Sequence, residues 1–179
     1  MDHFKTVSSS PHIRSNVTTA SIMRDVCIAL LPALVCSVIY FGVRAAFITA
    51  LSVIFCVGFE FLWQKITKKE VTISDGTAVV TGMLLAFNLP VAVPWWIPLI
   101  GAFVAIIIAK QFFGGVGNNF INPALAGRAF LLASWPVLMT KWAAPFSTGF
   151  NVADVVSSAT PLAILKSPAA GTLPPVSDL

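Results

Sequence analysis

Two short elements carry residue types that could do chemistry. The first runs Phe113-Gly114-Gly115-Val116-Gly117-Asn118-Asn119-Phe120-Ile121-Asn122-Pro123 and continues through Ala124 to Arg128. It is not a P-loop, because no Gly-Lys-Ser/Thr follows, and not a dinucleotide-binding turn, because no strand precedes it. The glycines predict a helix break, after which Asn122 caps a new helix with Pro123 at its first position. Asn119 and Asn122 lie three apart and could face the same way. Their amides both donate and accept hydrogen bonds, which suits the pyrimidine edge of an isoalloxazine ring. A helix N-terminus beside that edge would favour a reduced, anionic flavin. The plainer reading is a loop-to-helix cap whose amides satisfy backbone groups.

The second element is Asp154-Val155-Val156-Ser157-Ser158-Ala159-Thr160-Pro161-Leu162. Taken bare, Thr160 before Pro161 is a helix N-cap. Its small neighbours leave the hydroxyl accessible, and a nascent helix N-terminus welcomes the negative charge of a phosphodiester. A covalently attached nucleotide would be well placed there. Among other polar groups, Glu60 lies inside an apolar block and is a conceivable ion or proton ligand. One turn from Gln64 and close to Lys65, it reads better as a carboxylate snorkelling to an interface. Arg24, Asp25 and Asp75 sit at segment boundaries, where charge is ordinary, and Arg128 is placed to pair with a ligand or a lipid headgroup. His3 and His12 lie in a polar leader and suggest no site. Cys27, Cys36 and Cys56 form no CxxC or Cys/His cluster, so they are expected to act as small buried hydrophobes.

The elements that must position these residues are dictated by composition. The chain has 179 residues, 57% of them apolar and 10% charged, whereas a soluble domain carries about a quarter charged residues. With a mean hydropathy of +0.89, the solvent expected for this surface is lipid. The net charge of +4 is spread between apolar blocks, with no basic face of the kind nucleic acid would need. The first apolar block is longer than a signal h-region and is not followed by an Ala-x-Ala-like cleavage site.

The pattern predicts an all-α, polytopic membrane bundle of about five segments. A polar leader (1–21) precedes a membrane domain (22–139), and an outward-facing Pro- and Ser-rich tail (140–179) carries Thr160. Spans are expected from Val26 to Val43, Ala45 to Trp63 and Pro123 to Met139. Between the last two lies a long apolar stretch, Ala78 to Ala109, broken at Asn88-Leu89-Pro90-Val91-Ala92-Val93-Pro94. Its first part, Ala78–Leu89, is short enough for a half-helix or a re-entrant segment, tolerated where it lines an enclosed cavity. With the N-terminus cytoplasmic, the inner side holds Lys5, Arg14, Arg24, Lys65, Lys68, Lys69, Lys110 and Arg128, and the outer side only Arg44, Lys141 and Lys166. That asymmetry follows the positive-inside rule. Tyr40, Trp95, Trp96, Trp135 and Trp142 then belong to the outer interface and Trp63 to the inner one. Five segments with ends on opposite sides look like one half of an inverted repeat, so the chain is expected to continue beyond 179.

Taken in order, these motifs resemble one family, which comprises the D subunits of Rnf electron-transport complexes and the homologous B subunits of the sodium-pumping NADH:quinone reductases. The matching residues are Ser10-Pro11-His12-Ile13, Thr81-Gly82-Met83-Leu84-Leu85-Ala86 running into Leu89-Pro90, and Ala109-Lys110-Gln111-Phe112-Phe113-Gly114-Gly115. Asn122-Pro123-Ala124-Leu125-Ala126-Gly127-Arg128-Ala129-Phe130 and the element ending at Thr160 complete the set, so the likeness covers essentially the whole chain. The short leader and its Ser-Pro-His-Ile start look more like the Rnf branch.

The resemblance implies FMN joined through its phosphate to Thr160, within an element made by Asp154, Ser157, Ser158 and Ala159. Ser158 stands where Gly is usual. It implies a flavin transferase, using FAD and Mg²⁺, that installs the group on the outer face. It implies a second, non-covalent riboflavin near Asn119 and Asn122, and a fold of about ten helices in two inverted halves, resembling urea channels. The implied activity belongs to an inner-membrane complex of several subunits that passes electrons between ferredoxin and NAD⁺ and couples this to Na⁺ or H⁺ movement. Two other functions fit the broken helices: a passive channel or transporter for a small polar solute, and a structural anchor for other subunits.

Overall fold

The structure is a computed structural model that describes residues 17–69 and 71–146. Helix α1 (Thr19–Phe41) begins at a capping box: Ser21 N–H donates to Thr18 Oγ1 at 3.3 Å, and Thr18 N–H donates to Ser21 Oγ at 3.2 Å. The cap explains why the helix starts seven residues before the first apolar run expected from Val26. Gly42 alone joins α1 to α2 (Val43–Ile66), at φ 75° and ψ −171°, a backbone that a Cβ would strain. At 23 and 24 residues the two helices are about 34 and 36 Å long, enough to cross a hydrocarbon layer of about 30 Å. None of α1 is buried, and Ile28, Leu31, Val35 and Ile39 stand exposed along it. A helix this apolar, left so exposed by the other described residues, is what a lipid environment or a further apolar partner would cover.

The long apolar stretch divides at the expected place. Helix α3 (Thr77–Phe87) ends at Asn88, the turn passes Pro90 and Pro94, and α4 (Trp96–Phe103) runs back, continuing as a π-helical segment, Val104–Gln111. Helix α5 (Pro123–Ser134) follows the glycine loop. The last apolar block is not one continuous span: it breaks at Trp135 (φ −133°, ψ 62°), and the short α6 (Pro136–Met139) starts afresh. Pro136 has no N–H for the ladder and its ring disfavours helical backbone at the residue before it, which accounts for the break. All described elements are helical, with two long and apolar enough to span a bilayer.

Helices α2 and α3 pack most closely, with bare backbone at the contact. Ser52 Oγ donates to Gly82 O at 2.9 Å, and a Cβ on Gly82 would lie 2.7 Å from Val53 Cα. Gly127 of α5 crosses α4 in the same way, its missing Cβ 2.7 Å from Gly101 O. Gly127→Val is therefore expected to force the α4–α5 crossing apart at a cost of about 1–3 kcal/mol, read as a lower melting temperature in detergent; an unchanged melt would refute so close a crossing. The core between the helices is made by Leu85, Ile97, Ile106 and Leu131, all fully buried.

Aromatic side chains gather at one end of the bundle. Trp96 meets Trp135 edge-on at 5.3 Å, Tyr40 meets Phe146 at 5.0 Å, and Trp142 lines a crevice with Tyr40. Trp63 lies at the far end of α2, against Phe112 at 5.1 Å. This is the grouping that the sequence leads one to expect of interfacial aromatics. The cysteines depart from expectation: Cys56 is fully buried, but Cys27 is half-buried and Cys36 exposed, because no other described element covers that side of α1.

Candidate functional site

The most elaborate polar arrangement is built around Glu60. Along α2 the buried positions are Ala45, Ile48, Thr49, Ser52, Cys56, Glu60 and Gln64, a stripe at helical spacing that faces α3 and α4. Glu60 sits on this stripe and is 1% exposed, so it does not snorkel. The expectation of an interfacial carboxylate fails because the position faces the bundle rather than its rim. Its partner is Lys110, 2% exposed, although the charge pattern alone places that lysine at the inner boundary as an ordinary cation.

The ammonium uses all three of its donors. Lys110 Nζ donates to Glu60 Oε1 at 2.8 Å, to Glu60 Oε2 at 2.7 Å and to Thr77 Oγ1 at 2.7 Å. Glu60 Oε1 also accepts from Gln111 Nε2 at 3.1 Å and from Gln64 Nε2 at 3.4 Å. Thr77 Oγ1 donates onward to Asp75 Oδ1 at 2.7 Å, and Gln64 is held by Thr72 through two further bonds. The π-helical backbone is what brings two consecutive residues, Lys110 and Gln111, onto one carboxylate: Phe112 N–H reaches back five residues to Ile107 O at 3.0 Å. Such widened turns recur at functional sites. A cavity of about 300 Å³, lined by Glu60, Gln64, Lys69, Thr72, Asp75, Gln111 and Gly114–Val116, opens against the pair.

The glycine loop forms as predicted, with positive φ at Gly114, Gly115 and Gly117. Asn122 caps α5, its Oδ1 accepting from Ala124 N–H at 3.0 Å. Asn119 is not drawn into that cap: its Oδ1 is buried with no hydrogen-bond partner among the described residues. The two amides therefore serve different surroundings, one backbone-bound and one open to a donor. Arg128 donates to Asn88 Oδ1 at 2.9 Å and lies 6.0 Å from the Trp142 ring. Asp154, Ser157, Ser158, Ala159 and Thr160 lie outside the described residues.

Sequence reasoning misses Lys110, Thr77, Gln64 and Gln111 as parts of one site. The stripe on α2 is the available signal, since it places Glu60 and Gln64 on the packed face. The Lys110 partnership spans fifty residues and leaves no local trace.

Residues 6–179 match the model of the NQR2, RnfD, RnfE family. Over 175 residues the chain is 55% identical to the D subunit of the Na(+)-translocating ferredoxin:NAD(+) oxidoreductase complex of Acetobacterium woodii, covering 97% of this chain and 53% of that protein. It is 45% identical over 161 residues to the D subunit of the proton-translocating ferredoxin:NAD(+) oxidoreductase complex of Clostridium ljungdahlii, covering 90% and 48%. The D subunit of the ion-translocating oxidoreductase complex of Shewanella denitrificans is 36% identical over 154 residues, covering 85% and 44%. The chain spans about half the length of these relatives. With a family match running through nearly every residue, the chain belongs to the NQR2, RnfD, RnfE family.

Proposed function

We propose that this chain is part of the flavin-carrying membrane subunit of an ion-translocating Rnf complex, relaying electrons between ferredoxin and NAD⁺ in step with Na⁺ or H⁺ transport. The observation that carries the reading is the 55% identity to the Acetobacterium woodii protein over 175 residues, a stretch that covers the Asp154–Thr160 element. FMN esterified to Thr160 is the electron carrier, held on the outer face of the inner membrane while the N-terminus stays cytoplasmic. The excess of basic residues on the inner side supports that orientation. The flavin supplies the redox chemistry; the protein's part is to fix its position and set its electrostatic surroundings. Asn119 Oδ1, a buried acceptor lacking a donor among the described residues, suits the ring N–H of a second, non-covalent flavin. The other subunits, a flavin transferase and the bilayer complete the working assembly.

The test is direct. Full-length protein co-expressed with its flavin transferase should fluoresce under ultraviolet light on a denaturing gel, and Thr160→Ala should abolish the band. Equal fluorescence from both would end the proposal. A passive solute channel, the competing function, predicts colourless protein and solute flux in liposomes.

A further inference from the structure

We propose that the π-helical segment Val104–Gln111 is a two-register element, latched in its wide register by the polar bonds of Lys110 and Gln111. The device is independent of the flavin reading, since it rests on the backbone of this segment and its neighbours. π-Helical turns usually come singly, yet this segment runs for eight residues. The wide closure persists to its end: Phe112 N–H donates to Ile107 O and Gly115 N–H to Lys110 O, each five residues back and each at 3.0 Å. Re-closing the same residues at four, as in an α-helix, would turn the downstream end forward by about one residue position. The upstream end is pinned at the α5 crossing, where a Cβ on Gly127 would meet Gly101 O at 2.7 Å and Ala105 Cβ at 3.3 Å. The downstream end has room, because Gly115 and Gly117 stand in open space.

Apolar packing discriminates little between the two registers. The rotation runs through Ile106, Ile107 and Ile108, where one isoleucine moves toward the place of the next. The polar end does discriminate. In the wide register Lys110 Nζ holds Glu60 and Thr77 at 2.7 to 2.8 Å, and Gln111 Nε2 holds Glu60 at 3.1 Å. In the α-helical register Ala109 comes against Glu60 instead, and Lys110 turns toward the place of Gln111 on the wall of the 300 Å³ cavity. The glycine loop must follow, because Gly114 and Gly115 hang by their N–H groups from the carbonyls of Gln111 and Lys110. One change of register therefore moves the ion pair and the loop that carries Asn119 together, so that the state of either biases the other.

Amide hydrogen exchange on full-length protein in detergent reads the change of register. Wild-type amides of residues 107–115 should be as well protected as those of α3. Glu60→Leu/Lys110→Met removes the latch without stranding a charge. It should speed exchange over 107–115 at least about tenfold, with α3 and α5 within about threefold of wild type. Deleting Ile108 from that variant should bring the rate back to within about threefold of wild type, because one residue fewer leaves α-helical closure as the one that fits. The same deletion in the otherwise wild-type chain should accumulate and melt no lower than wild type, since the shortened α-helical segment returns Lys110 to Glu60. In an ordinary packed helix, loss of one residue would turn every later side chain off its partner by about 100°. Unchanged exchange in the double variant overturns the proposal. So does a deletion that leaves exchange fast, lowers the melting temperature or stops the protein accumulating. Should the double variant itself not accumulate, the deletion in the wild-type chain decides by the same two outcomes.

Discussion

Glu60→Leu is expected to destabilise the protein by about 3–5 kcal/mol, a loss on the order of 10 °C in melting temperature. The cause is the lysine left behind. Lys110 is 2% exposed and two of its three acceptors belong to Glu60. Without them it keeps Thr77 Oγ1 alone, within a bundle whose low polarity penalises an uncompensated charge. Gln64 and Gln111 lose an acceptor as well. Deleting both members should be far milder: Glu60→Leu/Lys110→Met removes the charges together and fills their volume with apolar atoms. Thermal melts of the two single variants, the double variant and the wild type give the coupling energy directly. A double variant no more stable than Glu60→Leu would show that the pair is not what holds these helices in register.

These same positions mark how far a sequence alone can reach. The break between Phe87 and Trp96 is legible because two prolines and an asparagine sit where a helix must end, and local chemistry decides it. The Asn122 cap is legible for the same reason. So is the aromatic grouping, which depends only on which helix ends share a level. Glu60 is misjudged because hydropathy ranks a charge by its depth along the chain, whereas its fate depends on which face of α2 it occupies. Lys110 is misjudged more deeply: its partner is fifty positions away and is reached only because the backbone widens into a π-helix, which no local propensity announces. Trp135 lies between: Pro136 forecasts a break, but the apolar run continues across it and conceals the change of direction. Spacing allows Asn119 and Asn122, three apart, to face the same way, and the cap holds Asn122 on its own helix.

The same contrast between local and distant signals makes Arg44 informative. It lies in the first turn of α2, where a helix's own dipole disfavours a cation. The compensation comes from across the bundle. Arg44 Nε donates to Val91 O at 2.8 Å and Nη2 to Val93 O at 3.3 Å, with Ala92 O at 3.5 Å, so the guanidinium grips the turn that leads from the C-terminal end of α3. Those carbonyls follow a helix end whose dipole favours positive charge, and the turn's prolines supply no donors of their own. Arg44→Ala should therefore cost about 1.5–3 kcal/mol, the range for hydrogen bonds made by a charged group. It should also raise amide hydrogen exchange across residues 88–97 while leaving the Glu60 end protected. Arg44→Lys keeps the charge but loses the fork, so it should recover only about half of the loss. Equal stability of the alanine variant and the wild type would mean that the turn holds itself. Recovery limited to the fork-bearing side chain would show that the clamp works by direction as much as by charge, and that the approach of α4 to α2 is set from the Arg44 end as well as from Lys110.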